Sequence, residues 1–415
     1  MTGLQIRPLT PEDDIDAQVD LGQRAFGPMS PAQRLNWIHT ATLRIRQGTF
    51  LGAFVGGRPA GAAAFHDMRQ WWHGRGMPSA GVASVKVAPE HRGNGIGRLL
   101  MTALLDLIAE RGYPVSSLYP ATMPLYRSLG WELAGSRYMA AVPARSLRTL
   151  TAPDVASGTG AARGAVEVRR AGPADAAEVN EIIARCHETA HDSGPLTWDL
   201  EPAAHWLARA DMYGYLTGDG FAAYRWQGGN EELFVERVHA ATPEAVRALW
   251  SVIASHSSIA RTVRVRIAPA DPLWWLTRER DVSGASRWMW MLRVVDAPAA
   301  IAARGFPAGV CLTVPLVITD HARPANSGRW DLTVSEGTGT LMPNDPGFLS
   351  SPAPSAAGAA PAAPLALGAR GLAALYAGTP VATLRLAGLA AGGAPAADAA
   401  LDAAFAATPY MVDDF

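Results

Sequence analysis

An arginine- and glycine-rich turn is the stretch of this chain best suited to hold an anionic ligand. Gly93, Gly95 and Gly97 lack a Cβ, so the backbone N–H groups of this turn can approach phosphate oxygens closely. Arg92 and Arg98 add positive charge at the same place. A strand pattern precedes the turn and a helical pattern follows it, so a helix N-terminus also faces the ligand. These features predict an anion-binding loop, with an ordinary tight connection as the alternative.

Two nucleotide-binding motifs do not fit this turn. Dinucleotide-binding folds use the spacing G-x-G-x-x-G, whereas the glycines here follow G-x-G-x-G behind an arginine. A P-loop requires Gly-Lys-Ser or Gly-Lys-Thr, and neither tripeptide follows the turn. The pattern that remains, R-x-x-G-x-G from Arg92 to Gly97, resembles the loop with which GNAT acetyltransferases hold the pyrophosphate of acetyl-coenzyme A.

This resemblance implies a set of contacts with acetyl-coenzyme A. In GNAT folds the strand before the loop is splayed from its neighbour, so its backbone is free to pair with the pantetheine arm. Val85 and Val87 would supply these contacts, and their side chains also fit an ordinary buried strand. The residues expected at the cofactor are Val85, Lys86, Val87, Arg92, Gly93, Asn94, Gly95, Ile96, Gly97 and Arg98.

A tyrosine at position 126 is followed by Gly130 and Trp131, which resembles the Y-x-x-x-G-F/W signature of the same family. In that family a short helix carries the tyrosine near the acetyl sulfur. A phenol within hydrogen-bond reach can protonate the departing coenzyme A thiolate or stabilise its charge. Tyr126 is therefore the predicted general acid, and simple aromatic packing against the sheet is the alternative.

Composition excludes several other classes of protein. The 415 residues predict two or three domains, and the near balance of 36 Lys and Arg with 37 Asp and Glu argues against a nucleic-acid partner. Cys186 and Cys311 are far apart and support neither a disulfide framework nor a metal site. The chain start lacks an apolar signal segment, and Gly, Pro and Asp interrupt the alanine-rich end, so a cytoplasmic protein without a membrane span is expected.

The chain before the loop predicts alternating strands and helices. Residues 4–7 alternate like a short strand, and Thr10 followed by proline is expected to begin a helix. Ser30 begins a second helix with the Ser/Gln spacing of a capping box. Residues 50–55 and 59–65 predict two strands joined by a Gly-Gly turn.

A second, degenerate copy of this fold is predicted after a linker-like stretch at residues 143–163. Residues 166–175 repeat the strand, the proline and the acidic residue of residues 4–13. The strand at residues 232–238, however, leads into a capped helix without glycines, so this copy is expected to have lost the cofactor site. Aromatic packing at a domain boundary or subunit interface is expected for Trp274, Trp275, Trp288 and Trp290.

The last part of the chain resembles a sterol-carrier-protein-like domain in its layout. Strands are expected at residues 310–317 and 328–334, a Pro/Ala/Ser run at 350–364 and a helix at 365–376. The expected fold is therefore α/β (α+β), with two tandem GNAT folds and this third domain. The expected domains are 1–145 (acetyltransferase), 146–296 (degenerate GNAT-like) and 297–415 (sterol-carrier-protein-like, with a catalytic tail).

This order of domains is similar to that of the Eis family of acetyltransferases. The segment 290–296 and the ending 411–415 add to the resemblance. In that family a terminal phenylalanine carries its carboxylate back into the first domain as a general base, and Phe415 fits this pattern; a solvated, frayed tail is the alternative. The resemblance also places Phe26 and Trp37 in a substrate cleft, and the acidic Asp414 is expected to attract a cationic substrate.

The resemblance implies direct transfer of an acetyl group to an amine. A lysine-like amine has a pKa of about 10.4, so only about one molecule in a thousand is neutral at pH 7 and a base is needed. A free carboxyl group with a pKa near about 3.5 is a poor base, so partial burial or a bridging water is expected at Phe415. No lysine or arginine lies in the tail itself to neutralise it.

The family acts on aminoglycosides at several amines and on lysine-like amines, and it implies a homohexamer. The expected partners are thus acetyl-coenzyme A and a small cationic amine. Acetylation of protein lysines is an alternative. A second alternative is a lipid- or protein-binding module whose GNAT domain is a relic.

Overall fold

The computed structural model describes residues 3–151, 166–277, 283–344 and 363–415. Its first part begins with β1 (Leu4–Pro8), α1 (Ile15–Phe26), α2 (Pro31–Gln47), β2 (Phe50–Val55), β3 (Arg58–Trp72) and β4 (Arg75–Val87). The glycine-rich loop then leads into α3 (Ile96–Glu110), which is followed by β5 (Val115–Leu118), α4 (Met123–Arg127) and β6 (Glu132–Pro143).

The second part contains β7 (Arg169–Ala171), α5 (Ala176–Thr189), β8 (Leu196–Trp198), α6 (Leu200–Leu207), β9 (Tyr213–Thr217), β10 (Gly220–Gln227), β11 (Glu232–Ala240), α7 (Pro243–Ala254), β12 (Thr262–Ile267), α8 (Leu273–Leu276) and β13 (Ser283–Val294). The third part contains α9 (Ala297–Ala303), β14 (Leu312–Thr319), β15 (Gly328–Ser335), β16 (Thr338–Pro343), β17 (Leu365–Gly368), α10 (Ala369–Tyr376), α11 (Val381–Leu386), β18 (Ala390–Gly392) and α12 (Pro395–Phe405).

The first two parts share one continuous sheet because β13 lies between β5 and β6. The strand order is β1-β2-β3-β4-β5-β13-β6-β12-β11-β10-β9-β7, with β8 beside β3. Trp290, Met291 and Leu292 of β13 are each 0% exposed, as expected for a central strand covered on both faces. A strand from the second part thus completes the sheet of the first.

The second part repeats the strand–helix–strand unit of the first. β11 pairs in parallel with β12, just as β4 pairs in parallel with β5, and α7 takes the place of α3. Thr242 caps α7 by accepting a hydrogen bond from the backbone N–H of Ala245, where α3 begins at a glycine. The predicted second copy of the fold is confirmed, while its loss of the cofactor site and the domain limits at residues 145 and 296 stay predictions.

Several predicted elements differ from those observed. The capping box at Ser30 is confirmed, but the first helix begins at Ile15 with Asp14 as its N-cap, because the Asp13 carboxylate binds the N–H of Thr10 and Arg7 instead. Residues 365–368 form a strand before the last predicted helix. The linker from residue 152 and almost all of the Pro/Ala/Ser run lie outside the described residues.

The predicted group of four tryptophans does not exist as one cluster. Trp290 is fully buried and packs edge-on against Trp72, with ring centroids 6.2 Å apart. Trp275 and Trp288 are 73% and 43% exposed. Trp288 and Trp290 lie on β13, whereas Trp275 lies on the short helix α8.

A buried ion pair joins the third part to β13. Arg293 donates two hydrogen bonds of 2.7 Å to the carboxylate of Asp320, and both side chains are 0% exposed. Asn326 donates to the same carboxylate at 3.0 Å. Gly130 of the first part leaves room for Arg293, since a Cβ there would lie 2.8 Å from the guanidinium carbon. All three parts of the chain therefore meet at this pair.

We expect Asp320→Ala to lower the free energy of unfolding by about 3–5 kcal/mol, because it leaves the Arg293 guanidinium buried without a counter-charge. Urea denaturation followed by tryptophan fluorescence measures the change. The double variant Arg293→Met/Asp320→Leu serves as the control, because it removes both charges and should regain much of the loss. Wild-type stability in Asp320→Ala would contradict this account.

Candidate active site

The sheet opens into a fork at the ends of β4 and β5. The two strands pair in parallel only from Ser79 with Val115 to Val82 with Leu118. Beyond this point Ser84 has a positive φ of 55°, and the register between β3 and β4 shifts in the same region. A positive φ in a residue other than glycine marks local strain, which concentrates at functional sites. The bulge carries the backbone of the following residues away from β5.

The glycine-rich loop connects this fork to the start of α3. Gly93 and Gly95 have φ values of 79° and 76°, and Gly95 is the N-cap of the helix. A Cβ at either position would meet nothing within 4 Å, so the left-handed backbone rather than lack of space favours glycine here. The first N–H groups of α3 have no partner within the helix and no side-chain cap. They are therefore open to an anion.

Both arginines of the loop are exposed. Neither forms an ion pair with any carboxylate in the described part of the chain. Arg92 makes only long contacts with backbone carbonyl oxygens, 3.4 Å to Val87 and 3.5 Å to Ala25, and Glu90 beside it is paired with Arg24 at 2.9 Å. The positive charges of Arg92 and Arg98 are thus available to a pyrophosphate.

The Lys86 side chain does not point towards the fork. Its Nζ donates a 2.6 Å hydrogen bond to the carbonyl oxygen of Gln18 and lies 4.6 Å from the ring centroid of Trp37. Burial, and secondly the charge of Arg44, lowers its pKa to about 7. At Lys86 only the backbone is left as a candidate cofactor contact.

Tyr126 lies on the short helix α4 beside the loop. It is 5% exposed and belongs to the apolar cluster that also contains Val82 and Ile96. Burial raises its pKa to about 12, and its hydroxyl makes no hydrogen bond to a described residue. Leu125 lies within 3.8 Å of where a Gly97 Cβ would be, so α4 packs against the start of α3. The loop and the protonated phenol therefore occupy the same end of the sheet.

The C-terminal residues cross the sheet to reach the fork. Tyr410 forms a parallel bridge with Ser136 of β6, and its N–H donates to the carbonyl oxygen of Ser193 at 3.1 Å. Gly135 and Gly194 permit this close approach, because a Cβ on either would collide with the backbone carbonyl oxygen of Pro409 or of Tyr410. The tail is packed, and the frayed alternative is wrong for the residues up to 413.

The acidic side chains of the tail are neutralised by arginines. Asp413 is 2% exposed and pairs with Arg237, while Trp198 donates to it at 2.9 Å. Asp414 pairs with Arg137 and Arg266. The expectation that no basic residue neutralises the tail holds only for the tail itself, because β6 and β12 supply the arginines that pair with Asp414. A cation-attracting role of Asp414 stays a prediction.

Phe415 is half-buried at the fork itself. Its ring lies 5.5 Å from that of Tyr119, at the end of β5, and 6.2 Å from those of His66 and Trp198. Its ring edge comes within 3.0 Å of where a Gly81 Cβ would lie, next to the last paired residues of β4. The last residue of the chain thus packs on the strand that precedes the glycine-rich loop.

A cavity of about 520 Å³ lies between the first two parts of the chain and the tail. Trp37, Asp414 and Phe415 line it, as does Ser84 of the bulge. Phe26 is 62% exposed at the end of α1 and does not line it, so the structure does not support the expected substrate contact there. Phe26 is the last residue of α1, one turn beyond the buried Gly22, where the helix no longer packs against the sheet.

Several cavity residues were not identified from the sequence. Arg44 and His66 face the interior, and burial together with the charge of Arg44 holds the pKa of His66 well below its usual value. Trp198 and Asp199 enter from the second part. For these cavity residues the sequence offers one local indication, which is that the polar pair His66-Asp67 interrupts an otherwise apolar strand.

Among the described residues, no helix is long and apolar enough to cross a bilayer, and no three His, Cys, Asp or Glu side chains are grouped to hold a metal ion.

Comparisons with known proteins agree with this geometry. Residues 5–134 and 195–294 each match an acetyltransferase (GNAT) domain, and residues 297–412 match a sterol carrier protein domain. The crystal structure of a GCN5-related N-acetyltransferase from Kribbella flavida is 43% identical to this chain, with a TM-score of 0.88 over 99% of this chain and 98% of that one. The chain belongs to the GCN5-related N-acetyltransferases. It is an N-acetyltransferase with acetyl-coenzyme A as its cosubstrate.

The expected relation to the Eis family is also confirmed. The N-acetyltransferase Eis of Mycobacterium tuberculosis is 29% identical over 308 residues, which are 71% of this chain and 73% of that protein. Eis1 from Mycobacterium abscessus has the same fold, with 24% identity and a TM-score of 0.74 over 99% of this chain and 100% of that one. Two GNAT folds followed by a sterol-carrier-protein-like domain are thus shown.

We expect Gly95→Ala to weaken acetyl-coenzyme A binding about tenfold, because a left-handed alanine costs about 1–2 kcal/mol and its relaxation would turn the N–H groups of α3 away. Isothermal titration calorimetry measures the affinity. Gly112→Ala is the matched control: it has a φ of 77° and equally open surroundings, but lies at the other end of α3. Equal loss of affinity in both variants would argue against a role of the loop.

Proposed function

We propose that this enzyme acetylates amines of aminoglycosides or of other polyamine- or lysine-like acceptors, at several positions of one acceptor. The observation that supports this proposal is the meeting of the cavity and the fork at Ser84, with Phe415 on the cavity side and the loop and Tyr126 on the other. Coenzyme A release with kanamycin, combined with the masses of the products, tests it. Acetylation of lysine only within peptides would favour the protein-directed alternative.

The donor half holds acetyl-coenzyme A. In this proposal the open N–H groups at Gly95–Gly97 and the unpaired Arg92 and Arg98 bind the pyrophosphate. The backbone of Val85 and Val87, which has left β5, pairs with the pantetheine arm. The N–H at Val85 polarises the thioester carbonyl. The backbone of Lys86, Asn94 and Ile96 completes this surface.

The acceptor half holds the amine and takes its proton. Trp37 offers an aromatic wall, and the terminal carboxylate of Phe415 serves as the base. His66 beside it stays neutral at pH 7, because its pKa lies well below the usual value, and so adds no positive charge that would repel an ammonium group. Half-burial of Phe415 supplies the partial desolvation that a carboxylate needs to act as a base.

The reaction itself is a direct transfer. The ammonium group gives up one proton to the Phe415 carboxylate, and the neutral nitrogen then attacks the thioester carbon. A carbon–nitrogen bond forms and the carbon–sulfur bond breaks, while Tyr126 gives its hydroxyl proton to sulfur. The proton that the new amide nitrogen loses restores the Tyr126 hydroxyl through solvent, and the Phe415 carboxyl group releases its own proton to water. The products are a neutral amide and coenzyme A thiol.

The alternative of a lipid-binding module with a relic acetyltransferase domain has no support in the described residues. The guanidinium of Arg304 is 0% exposed and lies 4.6 Å from the ring centroids of both Tyr376 and Phe405, and 4.7 Å from that of Phe306. These side chains form a packed core within the third part. This part instead anchors the tail.

On the family resemblance alone we also propose that the protein is a cytoplasmic homohexamer. Light scattering of the purified protein would test the assembly.

We expect Tyr126→Phe to lower kcat at least 100-fold with little change in the KM for acetyl-coenzyme A, because the variant keeps the ring packing and loses only the proton donor. Steady-state thiol release measures both constants. Tyr376→Phe is the control: it removes a buried hydroxyl that donates to the Ala300 carbonyl oxygen at 3.1 Å, in the third part. Full turnover in Tyr126→Phe across the pH range would leave Tyr126 a packing role only.

We expect one glycine added after Phe415 to lower kcat about 10²- to 10⁴-fold at pH 7, because it displaces the terminal carboxylate. The deficit should shrink towards pH 10, where the amine is neutral without help. The pH profile of kcat checks this. The control variant Phe415→Leu keeps the terminal carboxylate in place, so its kcat should fall less than that of the extended chain. An extended chain as active as the wild type would exclude the carboxylate as the base.

A further inference from the structure

Arg44 is a charged side chain inside the cavity. It lies in the last turn of α2, where a basic residue normally faces solvent, yet it is only 3% exposed. Its guanidinium carbon lies 5.4 Å from the ring centroid of Phe50, and the residue lines the cavity. The positive charge of Arg44 is therefore buried, and burial of a charged group costs free energy.

The guanidinium of Arg44 is under-satisfied. Its Nε donates to the Thr40 carbonyl oxygen at 3.1 Å and its Nη1 to the Ser84 hydroxyl at 3.3 Å. A guanidinium has five N–H donors, so three are without a partner in the described part of the chain. No described Asp or Glu side chain forms an ion pair with it. Burial without a counter-charge lowers the pKa of Arg44 to about 10.

The other arginines of the cavity all have carboxylate partners. Arg225 and Arg266 share Glu236, each at 2.8 Å, and Arg237 pairs with Asp413. Arg209 pairs with Asp211 at 2.9 Å. The absence of a partner is thus particular to Arg44 among these side chains. A buried guanidinium without a carboxylate is costly. Arg304 of the third part also has no carboxylate partner among the described residues, but it is enclosed by protein, whereas Arg44 lines a cavity that an anion can enter.

The position of Arg44 shows what could supply that charge. Ser84, its hydrogen-bond partner, is the bulge residue at which the cavity meets the fork. An anion bound there would lie next to the amine that receives the acetyl group. Asp67 and Asp199 also line the cavity and form no ion pair with a described basic residue, so they add negative charge that favours an ammonium group, although Asp67 also interacts with the Tyr113 hydroxyl.

We infer that the preferred acceptor carries a carboxylate beside its amines, as a lysine-like amino acid does, and that Arg44 binds this carboxylate. The inference rests on the proposed amine acetylation and narrows its substrate class. A cavity built for a polycation alone would be lined by unopposed acidic groups. This cavity presents a free positive and a free negative region, which matches a ligand with both signs of charge.

L-lysine and lysinamide form a matched pair that tests this inference, since lysinamide carries a neutral carboxamide in place of the carboxylate. Wild-type enzyme should bind L-lysine about 10- to 100-fold more tightly than lysinamide in calorimetry with coenzyme A present. It should show a similar preference in kcat/KM. Equal or reversed preference in the wild type would overturn the inference, whatever the variants do.

Arg44→Met should remove this preference by weakening L-lysine and leaving lysinamide nearly unchanged, and Arg44→Lys should restore part of it. Arg46→Met is the matched control: Arg46 lies in the same turn but is exposed and paired with Glu201 at 3.0 Å, so the preference should persist. An equal loss for both acceptors in Arg44→Met would mean that Arg44 acts on the common step, and the inference would be wrong.

The two levels of the proposal can fail separately. Acetylation of kanamycin without binding or acetylation of L-lysine would overturn the inference and leave the proposed function standing. Preferential binding of L-lysine without turnover of any amine would support the carboxylate site and count against the proposed function.

Discussion

The architecture depends on the insertion of β13 between β5 and β6. Residues 290–292 of this strand are fully buried, as in a central strand covered on both faces. The strand pairs with β6, and β6 pairs in turn with β12, so the strands of the second part continue the sheet of the first. The arginines of β11 and β12 then face the open end of β4 and β5. The cavity is a geometric result of this one strand pairing.

Each of the three parts of the chain contributes a different type of group to the site. The first part contributes backbone: a bulge, two left-handed glycines and unsatisfied N–H groups at a helix start. The second contributes mainly charge, and the third contributes a tail whose acidic residues fit those charges. The third part needs no ligand cavity for this role. Its core around Arg304 and its buried pair with Arg293 hold it firmly enough to place the tail.

Much of the donor half was predictable because its determinants are local. Gly93 and Gly95 are needed by the backbone of their own loop, and Tyr126 lies on a helix that directly follows β5. The acceptor half depends on contacts between residues hundreds of positions apart. Nothing near Asp414 in the sequence reveals Arg137 and Arg266, and nothing near Arg44 shows that it turns inward. Phe26 was misplaced for the same reason, since the sequence does not show that the last turn of α1 extends beyond the packed core.

The packing of Phe415 against Gly81 has a consequence for biosynthesis. At typical translation rates, roughly 20–70 s separate the emergence of these two residues from the ribosome. The loop and the fork can form early, but the wall of the cavity arrives with the last residues of the chain. A nascent or truncated chain would therefore have the donor half without the acceptor half. Truncation before Tyr410 would thus remove one wall of the cavity and leave the glycine-rich loop in place.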